Sequence, residues 1–167
     1  MVPVGQGQSN QFNNGVVEKY CYDGSPANCS IYGGLYTWNE MMNYATNANA
    51  RGICPVDWHI PSDNDWTILT TALGGAAFAG GSLKETGTSH WIAPNTGATN
   101  FYGFTGLPAG YSTYEGYAEI HYKNILWSST NAGANDANSR ELSFNTTDLL
   151  SSQQNKILGF SVRCLKD

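Results

Sequence analysis

Four cysteines, Cys21, Cys29, Cys54 and Cys164, constrain the fold of this chain more than any other feature. Their number is even, and none of their spacings is the C-x-x-C of a zinc or thioredoxin-like site, so two disulfides fit better than a metal. Disulfides persist in the periplasm or outside the cell, which predicts an exported protein. The alternative is a set of free, buried thiols.

The positions of the cysteines indicate how they pair. Turn-forming residues separate Cys21 from Cys29, and this spacing closes a small loop, which predicts a local bridge. In the last predicted strand, residues 160–164, alternate side chains share a face, so that Cys164 points inward. A bridge from Cys54 to Cys164 would close a loop of roughly 100 residues and contribute about 4 to 5 kcal/mol on the chain-entropy model.

Length and composition predict one domain. The chain has 167 residues, of which 41% are hydrophobic and only 13% charged, enough apolar side chains for one sizeable core. Its net charge of -5, with scattered Lys and Arg, argues against nucleic acid as a partner, and no segment is long and apolar enough to span a bilayer. Residues 1–11 lack the basic and apolar regions of a signal peptide, so we expect an excised part of an exported protein. Residues 1–19 are predicted to be a polar lead-in, and 20–167 the folded domain.

Two helices are predicted from a hydroxyl residue followed three positions later by an acid, namely Thr37 with Glu40 and Ser62 with Asp65. The first helix is expected to run to Gly52, and the second to the Gly-Gly pair after Leu73. Apolar side chains at helical spacing are expected to face the core: Trp38, Met41, Met42, Ala45 and Ala48 in the first helix, and Trp66, Leu69 and Leu73 in the second.

From Gly75 onward, frequent Gly, Pro and Asn predict strands and long connections, with no further helix. Alternating or continuous apolar runs predict strands at 117–122, 125–127, 140–144 and 160–164.

An ordered set of motifs from about Tyr20 to the C-terminus resembles the Fibrobacter succinogenes major paralogous domain. The set includes the Cys21–Cys29 segment, YGGLYTW at 32–38, GICP at 52–55, WHIPS at 58–62, Trp66, LGG at 73–75, Phe104 with LPAG at 107–110, WSST at 127–130 and GFSVRC at 159–164. The resemblance implies an exported, often lipid-anchored bacterial protein.

The resemblance also implies the fold class: an α+β, C-type lectin-like fold, with two helices packed on small twisted antiparallel sheets with long loops. In that fold a cysteine in or after the first helix pairs with one on the last strand, and Cys54 and Cys164 occupy such positions. Proteins related in fold include the formylglycine-generating enzymes. The helix start at Pro61 and Trp66 and the terminal Gly159-Phe160 pair of this chain resemble features of those enzymes.

A second resemblance concerns the C-terminal third. It is similar to the variable region of proteins diversified by retroelements, in which scaffold positions alternate with positions mutated through adenines. Here a regular frame encloses irregular residues at 131–140 and 148–158. The frame residues are Trp127, Ser128, Leu142, Phe144, Gly159, Phe160, Val162 and Arg163. An ordinary loop rich in Asn and Ser would have the same composition.

The sequence lacks the common motifs of catalysis and metal binding. His59, His90 and His121 are far apart and have no carboxylate at ligand spacing. Ser112 lacks the nucleophile-elbow glycines, and no phosphate-binding Gly-rich motif is present. The Asn and Asp residues between Asn131 and Asn138 offer oxygen ligands, but a solvated turn explains them better than calcium. We therefore predict no catalytic site, no metal and no cofactor; a formylglycine-generating type of oxidase is the least favoured alternative.

Aromatic and apolar side chains remain as candidates for ligand binding, because Tyr offers contact area with one polar group at little entropic cost. The predicted ligand face comprises 111–122 and 131–158, and its partner is a protein or a glycan. The candidate residues are Tyr111, Tyr114, Tyr117, His121, Tyr122, Asn131, Asn135, Arg140, Ile157 and Leu158. The alternative is a structural or adhesin module in which these residues fill the core. The oligomeric state is left open.

Overall fold

The protein has an α+β fold, seen in a computed structural model that describes residues 1–4 and 11–167. The described residues form four α-helices, α1 (Pro26–Tyr32), α2 (Trp38–Met41), α3 (Asp63–Ala72) and α4 (Ala76–Leu83). The strands are β1 (Val2–Pro3), β2 (Glu18–Lys19), β3 (Trp58–His59), β4 (Ala109–Ser112), β5 (Tyr117–Ile120), β6 (Lys123–Asn131), β7 (Asp136–Ser143), β8 (Leu150–Asn155) and β9 (Leu165–Lys166). A short 3-10 helix covers Tyr22–Gly24.

The main sheet has five strands in the order β5-β4-β6-β7-β8. Strands β4 and β6 are parallel, and the other neighbours are antiparallel. Because β6 runs without interruption from Lys123 to Asn131, the turn before it and the turn after it lie at opposite ends of the sheet, roughly 25 Å apart. These are called the His121 end and the Asn135 end below.

Both expected disulfides are present. Cys21 joins Cys29 with their Cα atoms 5.0 Å apart, and Cys54 joins Cys164 with their Cα atoms 5.8 Å apart, across a sequence separation of 110. Beside the second bridge, β9 pairs with β3. The C-terminal segment is therefore fastened to the region that follows α2.

The second predicted helix is confirmed and the first is shorter than expected. Ser62 and Asp65 form a complete capping box at the start of α3. Helix α2 ends at Met41 because Asn43 and Tyr44 take left-handed backbone conformations with φ of 48° and 60°. Glu40 does not cap this helix: its carboxylate accepts hydrogen bonds from the backbone N–H of Glu18 at 2.8 Å and from the Tyr44 hydroxyl at 2.9 Å. The prediction of a helix running to Gly52 is wrong.

Helix α4 contradicts the expectation that no helix follows Gly75. Its glycines serve packing: a Cβ atom at Gly80 would lie 2.0 Å from the Asp148 carbonyl oxygen, and one at Gly81 would lie 2.5 Å from the Gly97 carbonyl oxygen. Helix α1 was also not predicted. It begins with Pro26 at its first turn, which suits the fixed φ of proline. The expected number of two helices is therefore corrected to four in the described residues.

The core lies mainly in two clusters of buried side chains. The first includes Trp38, Met41, Trp127 and Phe160, with Val162 and Cys164 partly buried against it. The face predicted for residues 160–164 is therefore correct, but the predicted strand is wrong, because Phe160 and Ser161 form isolated bridges and 162–164 are irregular. The second cluster includes Trp66, Trp91 and Leu142, with Leu69 and Leu73 packed against it.

Lys84 is fully buried beside the second cluster. Its ammonium donates to the carbonyl oxygens of Thr96, Ser143 and Thr146 at 2.9, 2.8 and 2.8 Å and lies 5.5 Å from the centre of the Trp91 ring. Burial lowers the pKa of Lys84 to about 8, because the charged form loses its hydration.

Part of the predicted lead-in, residues 1–19, lies outside the described residues. Of the described part, β1 pairs in parallel with β2, and Glu18 is buried. The division of the chain after residue 19 stays a prediction. In residues 1–4 and 11–167 there is no helix with the length and apolar character needed to cross a membrane.

Candidate ligand-binding surface

The expected ligand face divides between the two ends of the main sheet. His121 and Tyr122 lie in the turn before β6, whereas Asn131 and Asn135 flank the turn after it. Because β4 is parallel to β6, the hairpin that follows β4 and contains Tyr114 points toward the Asn135 end. A single ligand surface spanning 111–122 and 131–158 is therefore corrected to two separate surfaces.

Arg140 is not an exposed anchor, because only 6% of it is accessible to solvent. It lies in β7 opposite Leu126 of β6, and its Nη1 atom lies 3.3 Å from Oδ1 of Asp63 at the start of α3. The same nitrogen donates to the Ser139 carbonyl oxygen at 2.9 Å. Arg140 therefore ties the sheet to α3.

Three more of the expected ligand residues are partly buried. The Tyr111 ring packs edge-on against Phe160 with centroids 6.0 Å apart, and Tyr117 packs against Tyr22 at 5.1 Å. Leu158 contacts the first core cluster. These side chains fill space between elements, as the structural-module alternative expects.

Ile157 and Tyr114 project from the Asn135 end, with 63% and 79% of each residue exposed. They are neighbours through the backbone, because Ser112 and Gly159 exchange two hydrogen bonds of 2.9 and 3.0 Å. This pairing places the hairpin tip, residues 113–116, beside Ile157. The hairpin is closed by the Thr113 N–H, which donates to the Gly116 carbonyl oxygen at 2.8 Å.

Lys156 holds the loops of this end together. Its ammonium donates to the carbonyl oxygens of Gly133 and Ala134 at 2.7 and 3.3 Å, and its N–H donates to the Asn135 carbonyl oxygen at 2.8 Å. The turn between β6 and β7 is thereby fastened to the segment that carries Ile157. A side chain on a fixed backbone loses less conformational entropy when a partner binds.

A shallow cleft of about 260 Å³ lies beside Ile157. Its lining residues are Gln11, Phe12, Tyr20, Thr37, Asn39, Lys156 and Ile157. Gln11 closes one side by accepting a hydrogen bond of 2.7 Å from the Thr37 N–H. Phe12 is 54% exposed and was not predicted, because it belongs to a polar segment with no periodicity. Together, Phe12, Tyr114, Asn131, Asn135 and Ile157 define what we call the Asn135-end surface.

Aromatic and imidazole rings stack at the opposite, His121 end. The Tyr32 ring stands edge-on to the rings of His90 and His121, at centroid distances of 5.6 and 5.9 Å. His121 Nδ1 donates to the His90 carbonyl oxygen at 2.8 Å, and His90 Nδ1 pairs with the Glu85 carboxylate at 2.9 Å. Tyr122 is partly exposed beside them. The sequence separates these residues too widely for a pattern to reveal the cluster.

A further aromatic pair was also missed. Phe101 and Tyr102 are exposed and stand edge-on with centroids 4.8 Å apart. Their loop is fixed by Asn100, whose side-chain oxygen accepts from the Thr105 N–H at 2.7 Å and whose amide donates to the Thr105 hydroxyl at 2.9 Å.

Two polar side chains at the turn between β6 and β7, Asn131 and Asn138, are engaged within the protein. Asn131 accepts a hydrogen bond of 3.1 Å from the Gly133 N–H, and Asn138 donates to the Asp63 carboxylate at 2.6 Å. Across the described part of the chain, no group of three or more His, Cys, Asp or Glu side chains is placed to hold a metal ion. All four cysteines are in disulfides. The exposed side chains at the Asn135 end are therefore suited to contact with the surface of a binding partner.

Fold and surface together define a disulfide-bonded α+β domain with exposed aromatic and aliphatic side chains on fixed loops, compatible with an extracytoplasmic location. The chain belongs to the Fibrobacter succinogenes major domain family, whose model matches residues 4–166. No curated protein and no solved structure matches it. The C-type lectin-like assignment accordingly stays a prediction within the α+β class.

Proposed function

We propose that this protein is a non-catalytic binding domain of an exported protein and that it presents the Asn135-end surface to a protein partner. The observation that carries the proposal is the exposure of Tyr114 and Ile157 on adjacent loops whose backbones are fixed by hydrogen bonds. Tyrosine and large aliphatic side chains supply contact area, and rigid loops reduce the entropic cost of association.

The chemistry of this surface supports binding rather than catalysis. The nearest ammonium, that of Lys156, is occupied by the Gly133 and Ala134 carbonyl oxygens. The disulfides leave no thiol to act as a nucleophile, which argues against an oxidase of the formylglycine-generating type.

The geometry favours a protein over a glycan as the partner. Tyr114, Ile157 and Phe12 all protrude, and protruding aromatic and aliphatic groups fit the hollows of a protein surface. A C-type-lectin-like calcium site for sugars would need several carboxylates, whereas Asp136 is the single acid of residues 131–140.

Diversification by a retroelement belongs to the same proposal. Of the eight frame residues, Trp127, Ser128, Leu142, Gly159 and Phe160 are buried, Phe144 and Val162 are partly buried, and Arg163 is exposed. Ser151, Gln153 and Asn155 of β8 are all exposed. Exposed positions tolerate substitution because few contacts depend on them. Gene copies from one population should then differ at adenine-derived codons confined to exposed positions of 131–138 and 150–158. Identical copies, or differences spread evenly along the gene, would contradict diversification.

Binding is tested with a paired set of variants. Tyr114→Ser with Ile157→Ser removes the two most exposed apolar side chains of the Asn135-end surface, and Phe101→Ser with Tyr102→Ser removes an equally exposed pair elsewhere. Both variants and the parent domain are screened against an array of cell-surface proteins and an array of glycans. We expect saturable binding to a protein, lost in the first variant and kept in the second. Binding lost only in the second variant, or binding to glycans alone, would refute the proposed surface.

A further inference from the structure

Arg163 lies between two clefts, and neither cleft contains a residue of the Asn135-end surface. Its guanidinium lies 4.3 Å from the centre of the Phe104 ring and donates to the Phe104 carbonyl oxygen. The first cleft, of about 210 Å³, is mostly apolar, and the second measures about 280 Å³. Both clefts have Phe104 and Arg163 in their walls.

The guanidinium of Arg163 has no acidic partner, since none of the ion pairs in residues 1–4 and 11–167 includes it. Arg163 is exposed to solvent, and partial desolvation by neighbouring groups lowers the pKa of its guanidinium. Its stacking on Phe104 fixes the plane of the guanidinium. A planar, fixed and unpaired guanidinium is suited to a bidentate contact with a carboxylate.

The lining of the larger cleft contains no acid. Its walls are formed by Ile31–Gly33, Phe104–Leu107, Asn124, Leu126 and Ser161–Arg163. The smaller cleft includes Asp65, whose carboxylate accepts hydrogen bonds from Ser62 and Asn49. Arg163 lines both clefts, so the Asp65 carboxylate makes the smaller cleft less favourable for an anion than the larger one.

Two oxygen atoms in the wall of the larger cleft lack hydrogen-bond partners, namely Asn124 Oδ1 and Ser161 Oγ. Their residues are only 6% and 7% exposed. The Asn124 nitrogen donates to the Leu107 carbonyl oxygen at 2.6 Å, which leaves Oδ1 as the atom of this amide without a partner. Native proteins pair most of their buried polar atoms, so a ligand that donates hydrogen bonds to these two oxygen atoms would satisfy them.

We propose that the larger cleft binds a hydroxylated carboxylic acid the size of one sugar ring, such as a hexuronic acid at the end of a glycan. The carboxylate pairs with Arg163, and hydroxyl groups donate to Asn124 Oδ1 and Ser161 Oγ after a small rotation of these side chains. Leu107, Leu126 and Val162 contact the C–H face of the ring. The volume of the cleft lies just below that of pockets for drug-sized ligands, which matches a single ring.

The choice of an acidic sugar over a peptide carboxylate depends on the unpaired hydroxyl of Ser161. A hydroxyl side chain both donates and accepts, so it forms reciprocal pairs with sugar hydroxyls, whereas a peptide N–H can only donate. This site is independent of the protein-binding surface proposed above, because it lies on other loops and uses none of the same residues.

The test is calorimetric titration of the domain with D-glucuronic and D-galacturonic acid, their neutral methyl esters, and an acetylated dipeptide with a free carboxylate. We expect at least one uronic acid to bind and its ester to bind at least about tenfold more weakly, because a charge-assisted contact is lost. Arg163→Gln should weaken binding by a similar factor, while Arg51→Gln, which removes an exposed arginine elsewhere, should leave it unchanged.

Ser161→Ala separates a ligand contact from a structural role. The hydroxyl has no partner in the free protein, so its removal should weaken uronate binding severalfold while leaving the urea midpoint equal or higher. No binding of either acid at about 10 mM, binding insensitive to Arg163→Gln, or binding of the dipeptide alone would each overturn the proposal.

Discussion

Lys156 holds its ammonium 4.7 Å from the centre of the Trp38 ring, and the Trp38 N–H donates to the Lys156 carbonyl oxygen at 3.0 Å. The exposed turn at the Asn135 end is thereby linked to the first core cluster, to which Trp38 belongs. The position of the proposed binding loops thus depends on the core itself.

Replacement of this lysine should loosen the turn without unfolding the domain. Lys156→Met keeps much of the aliphatic packing but removes the hydrogen bonds to Gly133 and Ala134 and the contact with the ring. We expect a loss of about 1 kcal/mol in the free energy of unfolding and faster hydrogen exchange at residues 132–136, measured by mass spectrometry. Lys123→Met is the control and should leave exchange in that turn unchanged. If Lys156→Met also leaves it unchanged, Lys156 does not hold the turn in place.

Lys84 should make stability increase with pH in a defined window. Its pKa is about 8 in the folded protein and about 10.4 in an unfolded chain, so between these values the unfolded state binds more protons. Stability therefore rises as pH increases from about 8 to 10, by up to roughly 1.4 kcal/mol per pH unit.

The measurement compares urea unfolding of the parent and of Lys84→Met at pH 7, 8, 9 and 10. The variant should be less stable by several kcal/mol, since three carbonyl oxygens lose their donor, and the difference from the parent should widen with pH. A difference that is constant over this range would show that Lys84 does not titrate there.

The two disulfides should differ in their contribution to stability. On the chain-entropy model, the Cys54–Cys164 bridge contributes about 4 to 5 kcal/mol and the Cys21–Cys29 bridge about 2.5 kcal/mol, because the loop that it closes is shorter. Double Cys→Ala variants, compared by urea unfolding, should reproduce this order. The reverse order would show that native contacts near Cys21 outweigh loop entropy.

The Gly80→Ala variant tests whether helix propensity or tertiary packing has the larger effect on the stability of α4. Propensity predicts that alanine in α4 stabilises the helix by about 1 kcal/mol. The structure predicts a loss of about 1 to 3 kcal/mol, because the added Cβ would meet the Asp148 carbonyl. Ser82→Ala in the same helix is the control, and thermal unfolding is the measurement. A higher melting temperature for Gly80→Ala would indicate that the Asp148 loop yields easily.

The sequence predicted those features that depend on neighbouring residues. The capping box at Ser62 uses atoms three residues apart, and the inward face of Phe160, Val162 and Cys164 was predicted from their alternation along the chain. The ordered motifs revealed the family. Helix α4 escaped prediction because Gly80 and Gly81, which disfavour a helix locally, are required by the close approach of distant carbonyls.

By itself the sequence determined the cysteine framework and the capped helix α3, because covalent spacing and short-range periodicity are properties of the chain. The α+β class was implied by the resemblance of its ordered motifs to a known family. Only the tertiary structure decided that Arg140 is buried against Asp63 and that His121 and Asn135 lie at opposite ends of β6. Which side chains share a surface depends on strand direction and register, and these are fixed by packing between residues far apart in sequence.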